Sequence, residues 1–203
     1  MTQKERMLAE LPYHAWKDGL KEERIANKLR CQEYNSLRAD KFDEKDKLIR
    51  TILGKAGKNL WIEAPFFCDY GYNIEAGENF YTNFNCTILD VAKVIIGDNV
   101  MFAPNVSLYT AGHPIHHVSR NSGYEYGIGI KIGNNVWIGG NTVVNPGVTI
   151  GDNVVIGSGS VVTKDIPANI VAAGNPCKVI REITDDDRKY FYKDRMFDVN
   201  DFN

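Results

Sequence analysis

Between Ile132 and Pro167 the chain repeats itself every six residues. Ile132, Ile138, Val144, Ile150, Ile156 and Val162 form an unbroken aliphatic column. Gly133, Gly139, Asn145, Gly151, Gly157 and Thr163 follow them, and Val136, Thr142, Val148, Val154, Ser160 and Ile166 form a second column of small or β-branched residues. A period of six fits neither an amphipathic helix nor an alternating strand. It fits a chain that turns a corner every six residues and points one aliphatic side chain inward on each edge. This is the pattern of a parallel β-helix built from hexapeptides. The Gly, Asn and Asp residues beside the aliphatic positions tolerate the backbone angles that corners need.

The period begins earlier. Ile62, Cys68, Ile74, Phe80 and Cys86 make a first column, with Phe66, Tyr72 and Phe84 at matching fifth positions. A step of ten separates Cys86 from Ile96, so about four extra residues around Asp90 to Lys93 are expected to shift the frame. Ile96, Phe102 and Leu108 resume it, with Val100 and Val106 at fifth positions. The pattern then stops from Tyr109 to Lys131 and returns. The solenoid therefore spans 59–183, with an inserted loop at 109–131 that leaves its wall. Insertions of this kind are where function tends to be placed.

Residues 1–58 read as a helical cap for one open solenoid end. Leu8, Leu11, Tyr13 and Trp16 make a first apolar group. A helix over Lys21 to Asn35 is expected to turn Ile25, Leu29 and Tyr34 inward, and a third, from near Asp40, carries Phe42, Leu48, Ile49, Ile52 and Leu53. Residues 184–203 read as a tail with a short helix, because Thr184 followed by three aspartates resembles an N-cap and an acidic first turn. Tyr190, Phe191, Tyr192 and Phe197 give that tail an apolar face.

A net charge of -2, with no basic run interleaved with aromatics, argues against nucleic acid as a partner. No signal peptide or membrane-length apolar stretch is evident, which gives a cytoplasmic expectation. Cys31, Cys68, Cys86 and Cys177 show neither zinc spacing nor CxxC. If every coil holds three sixes, Cys68 and Cys86 stack. Buried thiols are then the expected reading, and a redox pair the alternative.

Three of the four histidines fall in Gly112-His113-Pro114-Ile115-His116-His117, at the start of the excursion. An accessible imidazole can take a proton from a substrate hydroxyl as that hydroxyl attacks. Zinc is the alternative, but these histidines are neighbours on a Pro-interrupted loop without a second ligand group, so no metal is expected. Asp90, Asp98 and Asp152 read as turn formers.

Taken together, Tyr70-Gly71-Tyr72-Asn73-Ile74, Asn79-Phe80-Tyr81-Thr82-Asn83-Phe84-Asn85, Gly112-His113-Pro114 and the block from Ile132 through Asn175-Pro176-Cys177 resemble the hexapeptide-repeat O-acetyltransferases of the galactoside and maltose group. The resemblance implies a mainly β fold, a left-handed parallel β-helix, assembled as a homotrimer. It implies transfer of acetyl from acetyl-CoA to a sugar hydroxyl. By the same resemblance His113 matches the catalytic base and Asn83 the group that stabilises the transition state. Asp69, Tyr81, Asn83 and Glu125 fall where acceptor contacts are expected. Gly140, Ser158, Thr163, Lys164, Lys178 and Arg181 fall on the acetyl-CoA track. Galactoside-type members have acidic residues at the positions of Ala15 and Val91, so the resemblance favours maltose or glucose over a β-galactoside. A non-sugar or xenobiotic acceptor, and a zinc-dependent hydratase on the same solenoid, are the competing readings.

Overall fold

Three parallel sheets form the walls of a β-helix. The computed structural model describes residues 1–199, and the last four positions of the expected tail, 200–203, lie outside the described residues. The first sheet stacks Lys55–Ala56, Ile74–Ala76, Val94–Ile96, Ile130–Ile132 and Thr149–Ile150. The second stacks Trp61–Ile62, Tyr81–Thr82, Met101–Phe102, Trp137–Ile138, Val155–Ile156 and Ile170–Ala173, and Lys178–Glu182 pairs antiparallel on its end. The third stacks Phe66–Cys68, Cys86–Leu89, Ser107–Tyr109, Val143–Val144 and Val161–Val162. Both columns of the Ile132 to Pro167 repeat point inward and are buried. Stacked aliphatic rungs of this kind supply the main driving force for the fold, about 1.5–3 kcal/mol for each fully buried large side chain.

Coil length departs from the sequence expectation. In the repeat block Ile132 pairs with Ile150 and Ile138 with Ile156, as coils of three sixes require. Lower down, Ile62 pairs with Thr82 and Thr82 with Phe102, so these coils are 20 residues long. The stacked inward positions are thus Ile62, Cys68, Ala76, Thr82, Ile88 and Ile96, not the column through Ile74, Phe80 and Cys86. The extra residues are not one block near Asp90 to Lys93. Two sit after Cys68 and two after Ile88, at the same corner of successive coils. Ile74, Phe80 and Cys86 are nevertheless buried, which is why they imitated a frame.

The same register overturns the expected Cys68 and Cys86 stack. Cys86 pairs with Phe66, and Cys68 with Ile88. The thiol nearest Cys68 belongs to Cys31 on the cap, with 3.7 Å between the sulfurs, and all four cysteines are free.

The cap comprises α1 (Gln3–Leu8), α2 (Leu20–Ser36) and α3 (Phe42–Ile52). It meets the solenoid through hydrogen bonds to the exposed edge of each sheet, groups that would otherwise template aggregation. The Tyr34 hydroxyl donates to the Ile62 carbonyl on the second sheet. The Asn35 side chain both donates to the Phe66 carbonyl (2.9 Å) and accepts from its N–H (2.8 Å), standing in for a strand on the third. Arg50 donates to Gly57 (2.9 Å) beside the first. This docking sets the face that α2 buries: Asn27, Cys31 and Tyr34 turn inward. Ile25 and Leu29, expected inward, are exposed, Leu29 by 60%. Gly71 is required where the cap touches the corner. Its φ is +76°, and a Cβ there would lie 2.2 Å from the Ile52 carbonyl oxygen.

Another corner holds a ladder of asparagines. Asn59, Asn79, Asn99, Asn135, Asn153 and Asn169 adopt left-handed backbone angles, and each side-chain amide donates to the next at 2.8–3.2 Å. Asn reaches this conformation at lower cost than other non-glycine residues.

After the solenoid, the helix expected behind Thr184 is a five-residue 3-10 turn, Asp185–Lys189, with the capping box between Thr184 and Asp187. A hairpin of Tyr190–Tyr192 and Arg195–Met196 follows, and its aromatic side chains are exposed.

Candidate active site

All departures from the repeat fall on the corner between the third and first sheets. The two-residue expansions after Cys68 and Ile88 lie there, and above them the inserted segment leaves after Tyr109. Side chains stitch these tiers together. Asp90 Oδ1 accepts the N–H groups of Asp69 and Tyr70, both at 2.9 Å. Asn73 donates to the Asp90 carbonyl (2.8 Å), and the Thr110 hydroxyl donates to the Leu89 carbonyl (2.6 Å). Asp90 is therefore more than a turn former. Burial pushes its carboxyl up to about 7, against the lowering effect of the Tyr70 N–H and with the Asp69 charge adding to the rise.

A stability prediction follows from that shift. An unfolded aspartate ionises near 4, so between about pH 4 and pH 7 the folded chain binds a proton that the unfolded chain has lost. The Asp90 contribution thus favours folding at low pH and is lost as pH rises through 7. Asp90→Asn keeps an acceptor for both N–H groups and cannot ionise. Urea midpoints measured across pH 5 to 8 should fall less in this variant than in the wild type.

The inserted segment is an organised hairpin. Ala111–Gly112 pairs antiparallel with Tyr126–Gly127, and between them lies α4 (His117–Asn121), whose start is capped by His116 Nδ1. The Tyr126 ring lies over Gly112, where a Cβ would come within 2.5 Å of it. His113 projects from the hairpin with its side chain 58% exposed, and its Nε2 lies 3.9 Å from Glu125 Oε2. Asp69 stands on the corner below, 3.9 Å from Lys28 on α2. Its carboxyl is raised mainly by burial, with Lys28 and Arg24 opposing. Such a cluster has an accessible imidazole beside carboxylates and can remove a proton from a hydroxyl.

The residues expected to share the site fall into separate places within one chain. His113, Glu125 and Asp69 share the corner just described. Tyr81 points outward from the second sheet, and Asn83 follows it at the corner leading into the third. Asn83 Oδ1 is occupied by the Phe84 N–H at 2.8 Å. Gly140 and Ser158 lie above Asn83 at that corner, joined through Phe102, Ile138 and Ile156 by the backbone ladder. Thr163 and Lys164 are exposed at the far end of the third sheet. Lys178 and Arg181 are exposed on the antiparallel closing strand, where Arg181 grips Asp187 through two bonds of 2.8 and 2.7 Å. Sequence reasoning missed Tyr13, whose buried hydroxyl meets Glu125, because 112 positions separate them.

Comparison with known proteins decides the kinship. Residues 129–164 match the family model described as bacterial transferase hexapeptide (six repeats), and residues 6–57 match the maltose acetyltransferase hexapeptide capping motif. The chain is 50% identical to the galactoside O-acetyltransferase of Escherichia coli K12, over 87% of each chain. This chain belongs to the hexapeptide-repeat acetyltransferases. It is an acyltransferase by membership. A maltose O-acetyltransferase from Clostridium difficile 630 superposes with a TM-score of 0.90 at 53% identity, covering 91% of this chain and 99% of that one. A galactoside acetyltransferase in complex with coenzyme A gives 0.94 at 48% identity, covering 98% of this chain and all of the other. Within the family, the matched capping motif coincides with the helices that close the sheet edges, and the matched hexapeptides coincide with the strict six-residue block.

Proposed function

We propose that the protein transfers acetyl from acetyl-CoA to a hydroxyl of a sugar, with His113 as general base. The observation behind this reading is the exposed His113 imidazole, held on the solenoid's one long excursion beside Glu125 and above Asp69. A sugar hydroxyl is a poor nucleophile, so its proton passes to His113 as its oxygen attacks the thioester carbonyl. The new C–O bond forms, the C–S bond breaks, and the leaving thiolate takes the proton from His113. The amide N–H of Asn83 is the donor we assign to the negative charge that develops on the carbonyl oxygen. Asp69, Tyr81 and Glu125 meet the acceptor. Gly140, Ser158 and Thr163 border the groove for the pantetheine arm, and Lys164, Lys178 and Arg181 offer charge to the coenzyme's phosphates. The relative solved with coenzyme A supports acetyl-CoA as the source of the acetyl group.

The unit of function in this reading is a homotrimer with active sites between subunits. Asn83 precedes a strand of the third sheet and His113 follows one, at opposite corners of a single chain, and in this reading a neighbouring copy brings base and oxyanion donor together. An outward apolar stripe on the second sheet, Trp61, Met101 and Trp137 in register at 43–50% exposure, is a surface for that contact. The enzyme would act in the cytoplasm, the compartment of acetyl-CoA; no described helix is long and apolar enough to cross a membrane.

Ala15 and Val91 are buried in a small apolar cluster with Met7, Tyr13, Leu20 and Tyr70, so no carboxylate stands at either place. We therefore expect acetyl-CoA-dependent release of free thiol to be faster with maltose or glucose than with a β-galactoside. A panel of sugars, amino sugars and non-sugar alcohols checks this; release only with the last class would refute the sugar reading.

A further inference from the structure

The N-terminal segment packs on the inserted segment: the His14 ring lies 4.0 Å from that of Tyr124, the Gly129 N–H donates to Glu10 (2.8 Å), and between these contacts Tyr13 meets Glu125. Tyr13 and Glu125 exchange both backbone hydrogen bonds, 2.9 Å from the Tyr13 N–H to the Glu125 carbonyl and 3.0 Å in return. The same two residues join through their side chains: the Tyr13 hydroxyl donates to Glu125 Oε1 at 2.6 Å. The other carboxylate oxygen, Oε2, is the one 3.9 Å from His113 Nε2. Tyr13 is wholly buried among Met7, Leu20, Tyr70 and Val91, so its ring cannot swing away. Glu125 is only 18% exposed, whereas His113 is open to solvent. A rigid phenol thus holds one oxygen of a carboxylate whose second oxygen faces the exposed imidazole.

We propose that Tyr13 is a positioning residue for the acyl transfer, acting through Glu125 on His113. The proposal rests on the reading of His113 as the base. When His113 accepts the acceptor's proton it becomes an imidazolium, and a carboxylate fixed beside it stabilises that charge as it forms. A fixed carboxylate does this without reorganising at the moment of reaction, whereas one free to rotate must first be ordered. The Tyr13 hydroxyl makes a short bond to a charged acceptor, the stronger class of hydrogen bond, and supplies that fixation. Tyr13 lies between α1 and α2, so this contact also couples the terminal subdomain to the chemistry.

The test is a double-mutant cycle on the full-length enzyme, with Tyr13→Phe, Glu125→Gln and their combination. Tyr13→Phe removes one oxygen and keeps the packing of the ring; Glu125→Gln keeps an acceptor for the phenol and removes the charge. We expect Tyr13→Phe to lower kcat by about tenfold while KM for acetyl-CoA stays within about twofold. We expect Glu125→Gln to lower kcat at least as much, and the double variant to be no slower than Glu125→Gln alone. A purely structural role for Tyr13 predicts instead that the two losses multiply, and that result, or wild-type kcat in Tyr13→Phe, overturns the proposal. Tyr13→Met, which also lacks the hydroxyl, serves in the same cycle if the phenylalanine variant does not fold. His113→Ala separates the two readings. Retained turnover there refutes the base assignment, whereas an inactive His113→Ala beside a fully active Tyr13→Phe refutes the positioning role alone.

Discussion

Replacing His113 with alanine is expected to lower kcat on the order of a thousandfold while leaving the affinity for acetyl-CoA within a few-fold of the wild type. The size follows from the work assigned to the imidazole. Without it the acceptor hydroxyl must attack while still protonated or lose its proton to water, and positioned general bases contribute roughly 10²–10⁴-fold. The sparing of coenzyme binding follows from where the residue stands. His113 projects from the inserted hairpin, whereas Gly140, Ser158, Lys178 and Arg181 belong to the opposite corner and the closing strand. Steady-state kinetics with calorimetric titration of CoA checks both halves. Normal turnover in this variant would remove His113 from the mechanism, and a large loss of CoA affinity would place the hairpin on the coenzyme instead of the acceptor.

The largest loss of stability is expected from Phe102→Ala. Phe102 is fully buried in the second sheet, stacked between Thr82 and Ile138, and its ring meets Phe80 edge-on at 5.1 Å. Deleting a ring from such a site removes its transfer energy and leaves a cavity that stacked rungs cannot close, a cost of about 3–5 kcal/mol. For a chain of this size that corresponds to a fall in Tm of about 6–20 °C. Differential scanning calorimetry measures it. A fall of only a degree or two would mean that the rungs relax into the space, contrary to a core whose spacing is fixed by parallel ladders on three sides.

The solenoid was legible because burial on three flat walls imposes a period that no helix or sheet shares, and the aliphatic column from Ile132 to Val162 keeps it strictly; Ile166, expected at a fifth position, instead pairs with Ile150 because the last coil is two residues shorter. The lower coils were misread for a physical reason. Ile74, Phe80 and Cys86 are buried beside the true rungs Ala76, Thr82 and Ile88, so two apolar columns two residues apart compete for the same frame. The cap was legible as helices, but the side it buries was not. Ile25 and Leu29 are apolar and exposed, while Asn27 turns inward to donate to the Cys68 and Asp69 carbonyls at 3.4 and 3.3 Å. A polar side chain chosen to satisfy an open sheet edge carries no hydrophobic signal. His113 stood out as the start of the break in the repeat. Asp90 also lay in a break, yet its role depends on the two N–H groups it meets, which only the fold supplies. The contact of Tyr13 with Glu125 joins distant parts of the chain, and no local pattern marks it.

The irregularities of this chain share one edge of the prism: the two short expansions, the long hairpin, and with them Asp69, Asp90, His113 and Glu125. The ladders of the three sheets run past that edge without using the hairpin's backbone. Such an arrangement lets the excursion be lengthened, trimmed or rewritten without disturbing the register of the stacked rungs.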